Sequence, residues 1–195
     1  MSDLRSALRA CRICADRFAA TATAHEPRPI VWFQPGARIL IAGQAPGAQV
    51  HAKGRPFDDP SGDRLRDWMG IGRDIFYDQT RLAIVPMGFC FPGYDAKGSD
   101  LPPPPICHKT WRAQVMDEVG AVPLILLVGG YAQKWHLGVK TGVTATVEDW
   151  RAHAPGVFPL PHPSWRNTGW IKRNPWFEAE VLPALRSRVQ EVLDG

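Results

Sequence analysis

The chain has 195 residues, 45% of them apolar, and carries a net charge of +4 with a pI near 9.0. That length suits one domain spanning residues 1–195, and that composition supports a real core. The longest apolar run, "VPLILLVGG", is too short to cross a bilayer, and the opening "MSDLRSALRACRIC" lacks the apolar centre of a secretion signal, so a monomeric cytoplasmic protein with no membrane partner is expected. The mild basicity is compatible with a polyanionic partner without deciding for one.

In chain order, the first chemical signal is Cys11 and Cys14, a C-x2-C pair one helical turn apart, so that both thiols can face one point. "ARILIA" (37–42) reads as a buried strand that stops at Gly43. The turn that follows, "GQAPG" (43–47), has two glycines for close backbone approach and Pro46 to stiffen it, leaving main-chain N–H groups free to point into a cavity. "GRPFDDPSGDRL" puts Phe57 between a proline and an acidic turn, just before a helix that Ser61 can cap, with Leu65, Trp68 and Met69 on one face. In isolation Phe57 reads equally well as a core aromatic.

A second strand is expected at 82–87, followed by Cys90, the extended run "DLPPPPIC" and Cys107. An amphipathic helix at 109–119 leads to a strand at 124–128, helices at 131–137 and 144–152, and a last strand at 157–160. The chain closes with a helix over about 176–193, kinked or restarted at Pro183. Alternating strands and helices imply a three-layer α/β/α sandwich around a short, mainly parallel four-stranded sheet. In such sheets ligands bind beyond the carboxyl ends of the strands, so the loops after the first and last strands converge on one pocket.

The last of those loops is "PHPSWRNTGWIKRNPWF". His162 lies between two prolines that fix its backbone. Beyond it come Arg166, Asn167, Lys172 and Arg173, interleaved with Trp165 and Trp170, a mixture suited to phosphates and unstacked bases. The four cysteines leave none over. In a cytosolic chain they point to a four-thiolate site, and their spacing leaves zinc and an iron–sulfur cluster both open.

Taken together, "GQAPG", "GRPF", Cys11/Cys14/Cys90/Cys107 and "HPS" resemble the uracil-DNA glycosylase superfamily over nearly the whole chain, above all its iron–sulfur branch. The resemblance favours a [4Fe–4S] cluster on the four cysteines over zinc. It implies repair of uracil-containing DNA, double- or single-stranded, by flipping the nucleotide out and hydrolysing its N-glycosidic bond. Phe57 would stack on the base. His162 would hydrogen-bond the developing oxyanion, with Gly43, Gln44 and Ala45 lending backbone N–H groups and Ser164 beside them. Trp165 or Arg166 would wedge the duplex, and Asn167, Lys172 and Arg173 would serve DNA contact, the two cations gripping phosphates.

Two positions depart from that pattern. Relatives carry an acid in the first turn, where this chain has Gln44, which orients water but cannot act as a base. Relatives of the iron–sulfur branch carry an asparagine four residues before the third cysteine, where this chain has Pro86. The missing acid is expected at Asp58 or Asp59, and base recognition at backbone groups of Met87 and Gly88. The alternative is a DNA-binding relative that recognises uracil or abasic sites with little or no turnover.

Overall fold

Four short apolar runs pair into one sheet. In the computed structural model, which describes residues 4–195, they are β1 (Ile39–Ala42), β2 (Leu82–Ile84), β3 (Leu124–Val128) and β4 (Val157–Leu160). Every pairing is parallel, in the order β2-β1-β3-β4. β3 and β4 fall where the apolar runs predict. β1 and β2 are shorter than the expected 37–42 and 82–87. Pro86 accounts for the second difference, since it has no N–H to give a ladder.

Parallel neighbours need long crossovers, and helices supply them. In chain order the helices are α1 (Leu4–Arg9), α2 (Ala15–Ala19), α3 (Ala48–Lys53), α4 (Pro60–Met69), α5 (Arg73–Phe76), α6 (Pro105–Val119), α7 (Gly130–Leu137), α8 (Val143–Glu148), α9 (Thr168–Arg173) and α10 (Leu182–Asp194). Asp59, not Ser61, caps α4: its carboxylate accepts the Gly62 N–H at 2.9 Å, and Pro60 takes the first helical position. α6 begins at Pro105, ahead of the expected 109, because a helix's first turn tolerates prolines. The expected 144–152 helix divides into α8 and a 3-10 turn, Trp150–Ala152. A π-helical turn, Phe177–Val181, leads into α10, and the helix restarts around Pro183 as its sequence suggests. α1, α2, α3, α5 and α9 escape the sequence reading because four to six residues are too few to show a period.

Alternation along the strands sorts the core into two layers. Ile39, Ile41, Leu126 and Phe158 face Leu65 and Trp68 of α4 and Leu185 and Val189 of α10. Leu40, Ala83 and Val85 face Leu8 of α1 and Val115 of α6, while Ala42 and Leu127 meet Ala132 of α7. With both faces covered the strands read as continuous apolar runs. Each fully buried Leu, Ile or Phe removes about 1.5–3 kcal/mol of apolar exposure. That rigid sandwich holds the loops at the carboxyl ends of its strands.

Candidate active site

β1 ends against a turn whose carbonyls are tied down and whose amides are not. Gly43 O accepts from Met87 N at 2.9 Å, and Gln44 O accepts from Gly88 N at 3.0 Å. The N–H groups of Gln44 and Ala45 find no acceptor among the described residues and border a cavity of about 330 Å³. The cavity lies at the carboxyl ends of β1 and β4, where a parallel sheet places ligands.

Phe57 enters this cavity on a strained backbone. Its φ is +52°, a conformation costly to a bulky residue. Three features impose it. The Phe57 carbonyl accepts the Tyr77 hydroxyl at 3.1 Å, Arg66 Nη1 donates to the same oxygen at 3.4 Å, and Gly62 leaves room, since a Cβ there would stand 1.8 Å from that oxygen. The ring packs edge-on against Phe76, with centroids 6.1 Å apart. Neither Tyr77, Arg66 nor Gly62 carries a motif, so sequence reasoning had no signal for them.

The opposite wall comes from the loop after β4. The Ser164 N–H donates to His162 Nδ1 at 3.2 Å, so Nδ1 is an acceptor and the ring proton sits on Nε2. Burial pushes the His162 pKa below the ordinary histidine value, with Asp59 working the other way, so the ring is neutral near pH 7. Asn167 Nδ2 donates to the His162 carbonyl at 2.7 Å. Arg64 of α4 donates to Ser164 O at 3.0 Å and to Thr168 Oγ1 at 3.2 Å, pinning the loop to the helix. Asn167 therefore holds the loop through one amide N–H, and Arg64 is a positioning residue that the sequence did not disclose.

His162 and Phe57 line the same cavity, together with Gly43, Gln44, Ala45, Asp59, Ser164 and Arg166. At its rim Trp165 is 72% exposed, with the Arg166 guanidinium 5.9 Å from its ring. Lys172 and Arg173 lie outside the cavity, exposed in the last turn of α9.

Three expected residues are placed otherwise. Asp58 is not among the cavity-lining residues. Its carboxylate is held by Arg55 at 2.8 Å and Arg73 at 3.1 Å, which keep it below the usual carboxylate range. Met87 and Gly88 lie outside the cavity too, and their N–H groups are spent on the first turn. The neighbouring carbonyls of Val85 and Pro86 are likewise occupied, by Arg112 Nη1 at 3.0 and 3.1 Å. The N–H groups of Met87 and Gly88 therefore brace the cavity wall.

Behind the wall lies a second pocket, lined by Cys11, Cys14, Cys90 and Cys107 with Phe18, Phe89 and Trp111 and with no charged side chain. No three His, Cys, Asp or Glu side chains among the described residues are grouped as one metal ion would need. Phe89 N–H donates to Cys107 Sγ at 3.4 Å, and the buried Trp111 Nε1 has no acceptor among the described residues. Four thiols, apolar walls and an unmatched N–H donor fit a sulfur-rich group.

The family model of the uracil DNA glycosylase superfamily matches residues 30–186. The chain belongs to that superfamily. The matched span takes in the whole sheet, Phe57, His162, Cys90 and Cys107; Cys11 and Cys14 precede it. Proteins of this superfamily bind DNA.

Proposed function

We propose that the protein is a DNA-repair glycosylase that extrudes uracil from DNA and hydrolyses its N-glycosidic bond, leaving an abasic site. One observation carries the proposal: Phe57 and a neutral His162, whose ring proton sits on Nε2, line one cavity. An extruded base would stack on Phe57, and the negative charge growing on it as the bond to C1′ breaks would be met by Nε2–H and the free amides of Gln44 and Ala45. Donors fixed before the charge appears need no reorganisation, which is why a neutral imidazole serves here. The Gln44 side chain would orient water, Trp165 would fill the gap left in the stack, and Arg166, Lys172 and Arg173 would hold phosphates in a salt-sensitive way.

Cys11, Cys14, Cys90 and Cys107 would hold a [4Fe–4S] cluster, with zinc the weaker alternative. When bound, such a group supplies structural cross-linking, tying the N-terminal helices to the loop after β2. A second reading, a DNA binder with little turnover, is favoured by Gln44 and by the diversion of Asp58 into ion pairs. Both readings are tested by incubating purified protein with single- and double-stranded oligonucleotides bearing one deoxyuridine. Release of uracil with alkali-labile abasic sites is the expected outcome. Tight uracil-dependent binding without release supports the second reading and overturns the first.

A further inference from the structure

The first turn has no acid, and three other carboxylates are candidates to replace it. Asp58 is committed to Arg55 and Arg73 and does not line the cavity. Asp59 lines it, but its Oδ1 is engaged in capping α4. Asp100 is exposed to solvent but lines the same cavity as His162 and Phe57, and its carboxylate has no hydrogen bond or ion pair among the described residues.

Resting on the glycosylase reading, we propose that Asp100 is the catalytic carboxylate that takes the proton of the attacking water. The loop that carries it is cross-linked by its own hydrogen bonds. Asp100 pairs with Tyr94 in an antiparallel bridge, and Leu101 N donates to Gly93 O at 2.9 Å. Asp95 closes the tip by accepting from the backbone N–H groups of Lys97 and Ser99 at 2.8 and 2.9 Å. On the far side the proline run fixes φ, and Pro103 packs against Gly88 so closely that a Cβ there would stand 3.0 Å away. These contacts set the Asp100 backbone before substrate arrives.

The step balances without a co-reactant. The C1′–N1 bond breaks and its electron pair leaves with the base, whose charge His162 Nε2–H stabilises. Water oxygen bonds to C1′ and its proton goes to Asp100, from which it reaches the departing uracil anion through solvent. The same carboxylate faces the sugar cation during the step. Burial pushes Asp100 above the usual carboxylate range, with Arg166 opposing and Asp59 adding to the rise, while the side chain keeps access to solvent.

The experiment compares wild type, Asp100→Asn and Asp100→Ala in single-turnover uracil release, with melting temperature and DNA affinity measured on each. Expected are a loss of about 10²-fold in Asp100→Asn at unchanged affinity, and partial recovery of Asp100→Ala by added formate. The acid limb of the wild-type pH–rate profile should also flatten in Asp100→Asn. Release by Asp100→Asn within threefold of wild type overturns the assignment, as does a loss that tracks affinity and ignores formate. An inactive wild type instead rejects the glycosylase reading itself.

Discussion

The cleft and the cysteine pocket share one wall and are held in opposite ways. Pro86 lines the cleft; Gly88, Phe89 and Cys90 line the pocket. On the cleft side the protein alone fixes each working group: Ser164 sets the His162 tautomer, and Tyr77, Arg66 and Gly62 hold Phe57 at positive φ. On the pocket side burial pushes Cys90 up to about 12 and Cys107 up to about 11, each helped by neighbouring thiols, so the bare sulfurs are neutral and bonded to little. A cation would deprotonate such thiols outright. The cleft is thus complete as folded, whereas the pocket has the composition of a place finished by what binds there.

The largest effect that would sharpen this contrast is His162→Ala. Loss of one preorganised donor costs about 10²–10³ in rate. Because the ring borders a cavity and packs in neither core layer, melting temperature and visible absorption should hardly change. Single-turnover release and a thermal melt on one preparation check it. A melting temperature that collapses along with the rate would mean the cleft is no more independent of the fold than the pocket.

Cys90→Ser should act in the reverse sense and less strongly on rate. With the [4Fe–4S] cluster proposed above in place, the variant is expected to lose its brown absorption and to melt earlier, each kcal/mol lost lowering Tm by about 2–4 °C in a chain of this size. Uracil release at 25 °C should fall by less than tenfold, since Cys90 touches the cleft only through the 86–88 wall. A colourless wild type with normal stability would remove the basis for this prediction.

How legible these two regions were in the sequence follows from the physics that builds them. The sheet announced itself because strands buried on both faces must be apolar throughout. His162 and Phe57 were visible through prolines and glycines that mark special backbone. The residues that aim them, Tyr77, Arg64, Arg66 and Gly62, were not, because they act across the fold from surfaces whose local pattern is ordinary for a helix or turn. The same reason hides which carboxylate is free. Asp58 and Asp59 adjoin Phe57 in sequence, but three cations and a helix terminus claim them, while Asp100 comes from a loop some forty residues away. Adjacency along the chain says little about which carboxylate stays free. The amides of Met87 and Gly88 bond the neighbouring turn because Pro86 shortens β2 and frees them from the ladder.

The smallest effect concerns the wall itself. Arg112 is 1% exposed and spends Nη1 on the carbonyls of Val85 and Pro86, Nη2 on His136 Nε2, and its cationic face on Trp135 at 4.6 Å. Burial first, and the Arg112 charge second, push His136 down to about 3. Above pH 6.5 neither folded nor unfolded chain protonates this residue, so it adds no pH dependence there. Below 6.5 the unfolded chain takes up a proton that the folded one refuses, so stability falls as pH drops toward 3. One such group contributes at most about 1.4 kcal/mol per pH unit, less after solvent screening. His136→Gln keeps an acceptor for Arg112 and removes the proton. Its melting temperature should therefore fall less than wild type's between pH 7 and pH 5, by a few degrees. Equal acid slopes in the two proteins would place the pH sensitivity elsewhere, first of all at His162, whose pKa is lowered in the same sense on the cleft side of that wall.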